Sequence, residues 1–265
     1  MKILAGIPTR LRSTSGKIAD VLAEVADEVL VISQGATCNH ISGKVRVVEY
    51  PVDYGLVPAR NQILAYAIDH GFDVVIQSDD DLAYRSDVVE SIIRQVVDNP
   101  TLGACASESR AYYKWNKEVE CSKEFLLASC APQLWAARTS VLEEVGPWSL
   151  PFLEDRDHGC RMWKAGYAIG QLHVSLAMTH NPFVARTSAG KQGGQTEVIG
   201  GEMHSGLKKA IQFMKETYPD MLTINYLEGG NRTFSTRYKW ERMISMVHER
   251  FGVCMGYQDS RGRSV

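Results

Sequence analysis

The chain has 265 residues, 45% of them hydrophobic and 23% charged, with a formal net charge of −2. That balance fits an ordinary soluble globular protein with one substantial core, or a core plus an appended subdomain, and argues mildly against a nucleic-acid partner on net charge alone. No apolar run approaches the roughly 18 residues a membrane span needs. The first ten residues, MKILAGIPTR, lack the long apolar region and small-residue cleavage site of a signal peptide. Six cysteines (Cys38, Cys105, Cys121, Cys130, Cys160, Cys254) occur without a CxxC pair, which argues against a zinc ribbon and fits reduced thiols in a cytoplasmic protein.

In chain order, KILAGIP (2–8) reads as a strand stopped by Pro8, and residues 17–29 carry apolar residues at helical spacing. Residues 28–35 and 44–51 read as strands ending at Gly35 and Pro51. Residues 58–71 read as a helix with Pro at its start and Gly just past its end. A buried strand at 74–78 and an amphipathic helix at 85–100, with Ser86 or Asp87 near its cap, complete the first part. This alternation predicts an α/β protein with a mainly parallel sheet flanked by helices, whose ligands bind outside the carboxyl ends of the strands. Pro8-Thr9-Arg10, Gln34-Gly35 and Asp79-Asp80-Asp81 all fall at such ends. Further on, 103–109 reads as a strand, 111–124 as a loop or hairpin, 131–146 as strand, turn and helix, 155–166 as a helix and 167–180 as strand. Residues 184–206 contain six glycines and read as a mobile loop. A helix at 207–219 precedes a basic, less regular tail.

Charge is unevenly spread. Residues 1–183 hold 17 Lys+Arg against 23 Asp+Glu, net −6, and residues 184–265 hold 12 against 8, net +4. A basic C-terminal third suits a polyanion, or is simple surface variation.

Three adjacent carboxylates at the mouth of a buried strand repel one another. Asp79-Asp80-Asp81 has three readings: a solvated acidic turn, a site for a hard divalent cation, or paired acid/base catalysts. A second acidic pair, Glu154-Asp155, starts a helix, where acidic residues also simply favour the macrodipole. His180 stands at the end of a later strand.

Together AGIPTR, GLVPARNQILAYA, VVIQSDDDL, LWAARTSVLEEVGPW, FLEDRDHGCRMWKAGY and a closing TH resemble the GT-A fold glycosyltransferases, through most of residues 2–182. DDDL followed by Tyr84-Arg85, the Gln192-Gly193-Gly194 segment and the helix ending in Tyr218-Pro219 are similar to the bacteriophage TET-associated glycosyltransferases. That family modifies DNA, moving a sugar onto a 5-hydroxymethylpyrimidine such as 5-hydroxymethylcytosine. The resemblance implies a GT-A core over 1–183, and a Gly-rich loop with a helical basic region over 184–265 packed on it as the acceptor side.

It further implies that Pro8, Thr9 and Arg10 line the nucleotide pocket and that Arg60 faces the sugar nucleotide. Gln34 would lie near the base, where a carboxylate is more usual, which leaves the nucleotide open; a UDP-sugar is the first expectation. Asp79 and Asp81 would form the DxD motif, Asp81 binding Mn²⁺ or Mg²⁺ directly with Asp79 and His180, while Asp79 or Asp80 touches ribose or sugar. Asp155 would be the general base and Glu154 would orient the acceptor. Trp148, Lys191, Arg237 and Trp240 would lie on the acceptor side. A single base opposite the leaving group predicts inversion, with DNA as acceptor and no membrane or obligate protein partner. The alternatives are a transferase of the same fold acting on a glycan or other non-DNA acceptor, a sugar nucleotidyltransferase, and a catalytically dead binding module. For the second of these, Ile7-Pro8 stand where a phosphate-wrapping glycine turn belongs, and Pro8 has no N–H to donate. The tail aromatics Phe234, Tyr238 and Trp240 either stack on bases or fill a core.

Overall fold

The computed structural model describes residues 1–10, 15–35, 40, 42–107, 119–120, 125–131, 133–172, 179–180, 198–199, 202–203, 205–226 and 234–252. Its first part runs β1 (Ile3–Thr9), α1 (Ser15–Ala23), β2 (Glu28–Gln34), β3 (Val45–Tyr50), α2 (Leu56–Asp69), β4 (Val74–Ser78), β5 (Leu82–Ala83) and α3 (Ser86–Asp98). The middle runs β6 (Leu102–Ala106), β7 (Val119–Glu120), β8 (Phe125–Leu127), β9 (Leu134–Arg138), α4 (Thr139–Val145), α5 (Glu154–Lys164) and β10 (Ala168–Leu172). The last part holds β11 (Thr179–His180), β12 (Val198–Ile199), β13 (Glu202–Met203), α6 (Ser205–Thr217), β14 (Leu222–Tyr226), β15 (Phe234–Tyr238) and α7 (Trp240–Phe251).

Among the described residues nine strands form one sheet in the order β3-β2-β1-β4-β9-β6-β10-β8-β7. Only β9 and β8 run against the rest, so the sheet is mainly parallel in strand direction. Alternation along β1 builds two cores. Ile3, Ala5 and Ile7 share one apolar cluster with Ile18 and Leu22 of α1 and Val89, Ile92 and Val96 of α3. Leu4 joins the other, with Ile63 of α2, Cys160 and Trp163 of α5, and residues of α6 and α7. Gly6 faces α2: a Cβ there would lie 2.4 Å from Ile63 Cγ2, so glycine is what lets that helix sit so close to the sheet.

α1 stops six residues short of the expected end. Val25 and Ala26 turn back onto the Leu22 carbonyl, and Asp27 accepts the Ile3 amide at 2.7 Å, which pins the turn to the edge of β1. At α3 the N-cap is Arg85, directly before Ser86, without a side-chain cap hydrogen bond, and its guanidinium pairs with the Asp87 carboxylate. The C-terminal region is more regular than expected. β14 and β15 form an antiparallel hairpin, and α7 packs against α5. Met214, Tyr218, Met221, Ile224, Met243 and Val247 are buried in the same cluster as the sheet. Arg250 ties α7 to the Glu144 carboxylate at 2.6 Å and to the Tyr167 hydroxyl. The segment 184–206, expected as a loop, includes the β12–β13 pairing; Gln192-Gly193-Gly194 and most of the rest lie outside the described residues. Among the described residues no helix is long and apolar enough to cross a membrane.

Candidate active site

β1 lies between β2 and β4, so the carboxyl ends of three parallel strands meet. A cavity of about 470 Å³ opens there, lined by Pro8, Arg10, Gln34, residues 54–58, Asp79, Asp80, Asp81, Pro151 and Phe152. Thr9 stands beside it, 2% exposed, with its hydroxyl turned to Asp80.

The three aspartates have different surroundings. Asp80 is buried, and its Oδ2 accepts the Thr9 hydroxyl at 2.6 Å and the Arg10 amide at 3.2 Å. It therefore stitches β4 to β1, and that work competes with the expected contact to ribose or sugar. Asp81 lines the cavity. Asp79 does too, with its amide donating to the Gln133 carbonyl at 2.9 Å. Burial pushes the Asp79 carboxyl up to about 8; Arg60 opposes this, while Asp155, Asp81 and Asp80 add to it. Solvent reaches 31% of the side chain. β11 pairs with β5 so that His180 stands opposite Leu82, the residue after Asp81; the chain trace thus carries His180 to the acidic turn.

Arg60, expected to face the sugar nucleotide, is not among the residues lining the cavity and is buried among three carboxylates. One terminal nitrogen meets Asp155 Oδ1 and lies 3.6 Å from Glu154 Oε1; the other lies 3.5 Å from Asp79 Oδ1. Burial works to lower the guanidinium pKa, but Asp155, Asp79 and Glu154 outweigh it and the net shift is upward. The physical reason for the placement is charge: a buried cation settles where anions compensate its lost hydration. Arg60 thereby joins the turn after β4 to the start of α5.

Backbone strain marks both sides of this cluster. Among the described residues, the two non-glycine residues with positive φ are Gln133 (φ 63°), whose carbonyl holds Asp79, and Leu153 (φ 59°), the N-cap of α5. Leu153 reverses the chain so that Glu154 and Asp155 open the helix toward Arg60. Neighbouring Asp157 is structural: it accepts the Tyr218 hydroxyl at 2.7 Å and the Ser149 hydroxyl at 3.0 Å. That gives the Tyr218-Pro219 pair a role in anchoring α6 to α5.

Gln34 is also more committed than expected. Its Oε1 accepts the Tyr54 amide at 2.7 Å and its Nε2 donates to the Gly55 carbonyl at 3.3 Å, so both ends of the amide fix the loop before α2. Arg10 Nε pairs with Asp53 at 2.7 Å, and Asp53 accepts the Gly55 amide. The turn at Tyr54-Gly55 and the first residues of α2, Leu56 to Pro58, form one wall of the cavity, which was missed from sequence. Its signal is PVDYGLVP, where Gly55 takes φ 95° between two prolines.

The residues expected on the acceptor side separate. Trp148 is core, 3% exposed, and stacks on His158 at 4.0 Å between ring centroids. Asn61 holds both its amide and its carbonyl, which fixes it inward. Trp240 is half-buried and meets Trp163 edge-on at 6.0 Å. Lys239 donates to the Pro219 carbonyl, and Arg242 pairs with Glu249 at 2.7 Å. Arg237 is exposed on β15, and Lys191 lies outside the described residues. Among the described residues no three His, Cys, Asp or Glu side chains already gather as a metal cage.

No family model matches the chain, and no curated protein matches it in sequence. Solved structures do match in fold. A mannosyltransferase from Pyrobaculum calidifontis, in complex with GDP-Man and Mn²⁺, superposes with a TM-score of 0.55 at 17% identity, covering 80% of this chain and 64% of that one. The chain thus spans less than two thirds of that protein. Glucosyl-3-phosphoglycerate synthase from Mycobacterium tuberculosis, in complex with Mn²⁺, UDP and glucosyl-3-phosphoglycerate, superposes with a TM-score of 0.53 at 16% identity, covering 89% and 86%. The fold is the GT-A fold, as the sequence resemblance implies; neither comparison reaches the narrower DNA-modifying group.

Proposed function

We propose that the chain is a metal-dependent glycosyltransferase that takes a sugar from a nucleoside-diphosphate sugar and places it on a hydroxyl of a non-DNA acceptor, a glycan or a small molecule. The observation that carries this reading is the cavity at the ends of β1, β2 and β4, with Asp79 and Asp81 in its wall and the Arg60–Asp155 pair beside it. Proteins of this fold with Mn²⁺ and a GDP- or UDP-containing ligand support the same reading.

The residues fit a divalent cation. Asp79 is held against ionisation by its buried, acidic surroundings, which a second positive charge would relieve. Asp79 and Asp81 offer hard oxygen donors, and His180 offers an imidazole from the paired strand. When bound, the ion stabilises the negative charge that develops on the departing diphosphate. Pro8 and Arg10 form the wall for the nucleotide, with Arg10 held in place by Asp53. Thr9 and Asp80 fix the spacing between β1 and β4. Asp155 accepts the proton of the attacking hydroxyl, and Arg60 holds its carboxylate in position together with Glu154. One base on the face opposite the leaving group gives inversion.

A non-DNA acceptor is preferred because, among the described residues of the tail, Trp240 packs on Trp163, Lys239 donates to the Pro219 carbonyl and Arg242 pairs with Glu249, while Arg237 is exposed. The deciding experiment incubates the protein and Mn²⁺ with UDP- and GDP-sugars and a panel of acceptors, including phosphorylated small molecules, oligosaccharides and hydroxymethylated DNA. Mass spectrometry reads the products. Transfer that a chelator stops and Mn²⁺ restores is the expected result. Glycosylated hydroxymethylated DNA as the sole product would replace the acceptor assignment, and transfer that ignores chelation would refute the metal.

A further inference from the structure

A second void, far smaller than the first, holds about 10 Å³ beside Asp155 and is walled by Trp135, Trp148, His158, Gly159 and Met162 among others. Two polar atoms of its lining residues are buried without a hydrogen-bond partner, Trp135 Nε1 and His158 Nε2. Their residues are 2% and 4% exposed. An indole N–H can only donate. His158 bonds to the Gly146 backbone, and with Nε2 lacking a partner that bond falls to Nδ1, leaving Nε2 an acceptor. The residues that carry one orphan donor and one orphan acceptor therefore both line a space of about the size that holds a single water. A buried polar atom with no partner carries the full penalty of its lost hydration, and such atoms are rare in native folds.

We propose that one ordered water occupies this void, accepting from Trp135 Nε1–H and donating to His158 Nε2 and to the Asp155 carboxylate. Three hydrogen bonds are the usual complement of a buried water. Asp155 and His158 are three residues apart on α5 and so share a face of the helix. Arg60 grips Asp155 from α2, and the water supports the same carboxylate from the sheet side through Trp135 of β9. His158 and Trp135 are thus positioning residues for Asp155. This last step rests on the proposed function; the water itself does not.

The test has a structural arm and a kinetic arm. A high-resolution crystal structure of the full chain should show a water within about 2.7–3.2 Å of both nitrogens. Magnetisation transfer from water to the Trp135 indole proton should be seen by NMR. An empty void and an indole proton without water contact would overturn the proposal even if the enzyme is active. His158→Phe keeps the ring stack on Trp148 but removes the acceptor; it should lower kcat about 10- to 100-fold with donor KM unchanged. His158→Gln restores an acceptor and should recover part of that loss. A kcat in His158→Phe equal to that of the native chain would refute the positioning role. If His158→Phe does not fold, the native chain's density and NMR contact still decide whether the water is there. Failure of the native chain to transfer any sugar, with the water present, would refute the function and leave the water site standing.

Discussion

Replacing Arg60 by Met removes one buried cation from among three carboxylates while keeping most of the side-chain volume. Arg60 lies 3.6 Å from Glu154 Oε1, where with an effective dielectric near 20 a unit charge pair attracts by about 5 kcal/mol before desolvation and the repulsion among the carboxylates are set against it. Breaking such a buried group by deleting one partner costs about 3–5 kcal/mol. Asp79 is 31% and Asp155 27% exposed, so water moderates the loss and the lower end, about 3 kcal/mol, is expected at pH 7.5. Asp79 adds little to that deficit. Its carboxyl is raised toward 8, so its stabilisation is present below its unfolded value and is already fading as pH rises toward 8, with or without Arg60. The load falls on Asp155 and Glu154. Urea unfolding of native and variant chains at pH 7.5 should therefore show a deficit of about 3 kcal/mol. A deficit below about 1 kcal/mol would refute the idea that Arg60 neutralises this cluster.

Two further outcomes follow from the cores. Burial, with Arg161 and then Arg60 nearby, holds the His158 imidazole neutral, its pKa lowered to about 3, and only the backbone bond to Gly146 opposes this. Its contribution is complete above the unfolded value of 6.5 and is lost as pH falls toward 3, which costs about 2 kcal/mol between pH 7 and pH 5. His158→Phe should lose that much less stability over the same interval; equal losses would show the imidazole does not stay neutral. Gly6→Ala puts a methyl 2.4 Å from Ile63 Cγ2, on a β-branched side chain with little room to turn. It should cost about 1–3 kcal/mol, and in the double variant Gly6→Ala/Ile63→Ala the two losses, read by thermal unfolding, should sum to less than their separate values. Strict additivity would show that the two positions do not press on each other.

The parallel half of the sheet was legible because Val29-Leu30-Val31-Ile32 and Val74-Val75-Ile76 are near-continuous apolar runs, each ending in polar residues at the cavity. The DxD pattern at Asp79 and Asp81 was legible for the same reason: charge at the mouth of a buried strand stands out. What pattern reading could not supply was partnership. Nothing local in PARN says that Arg60 meets Asp155, 95 residues away, rather than a ligand. Nothing in GPW says that Trp148 lies on His158 instead of facing an acceptor. Gln34 sits at a strand end as expected, yet both ends of its amide serve the 54–55 backbone, a commitment fixed by loop shape. The β14–β15 hairpin carried a period-2 signal in FSTRY that the density of charge in the tail obscured.

The place of β9 in the sheet governs how the chain can be assembled. It lies between β4 and β6, both of which precede it in sequence, and pairs Val75 with Ala137 on one side and Ala104 with Ala137 on the other. On a ribosome, the four-stranded parallel half is synthesised with one bare margin, and β6 waits without a neighbour on that side. The two halves join only when residues 134–138 have emerged. Arg138 then clamps the junction through the carbonyls of Val96, Asn99, Pro100 and Leu102. Asp79 is synthesised before this strand and Asp155, on α5, after it, so the strand that closes the sheet also stands between the two carboxylates in chain order.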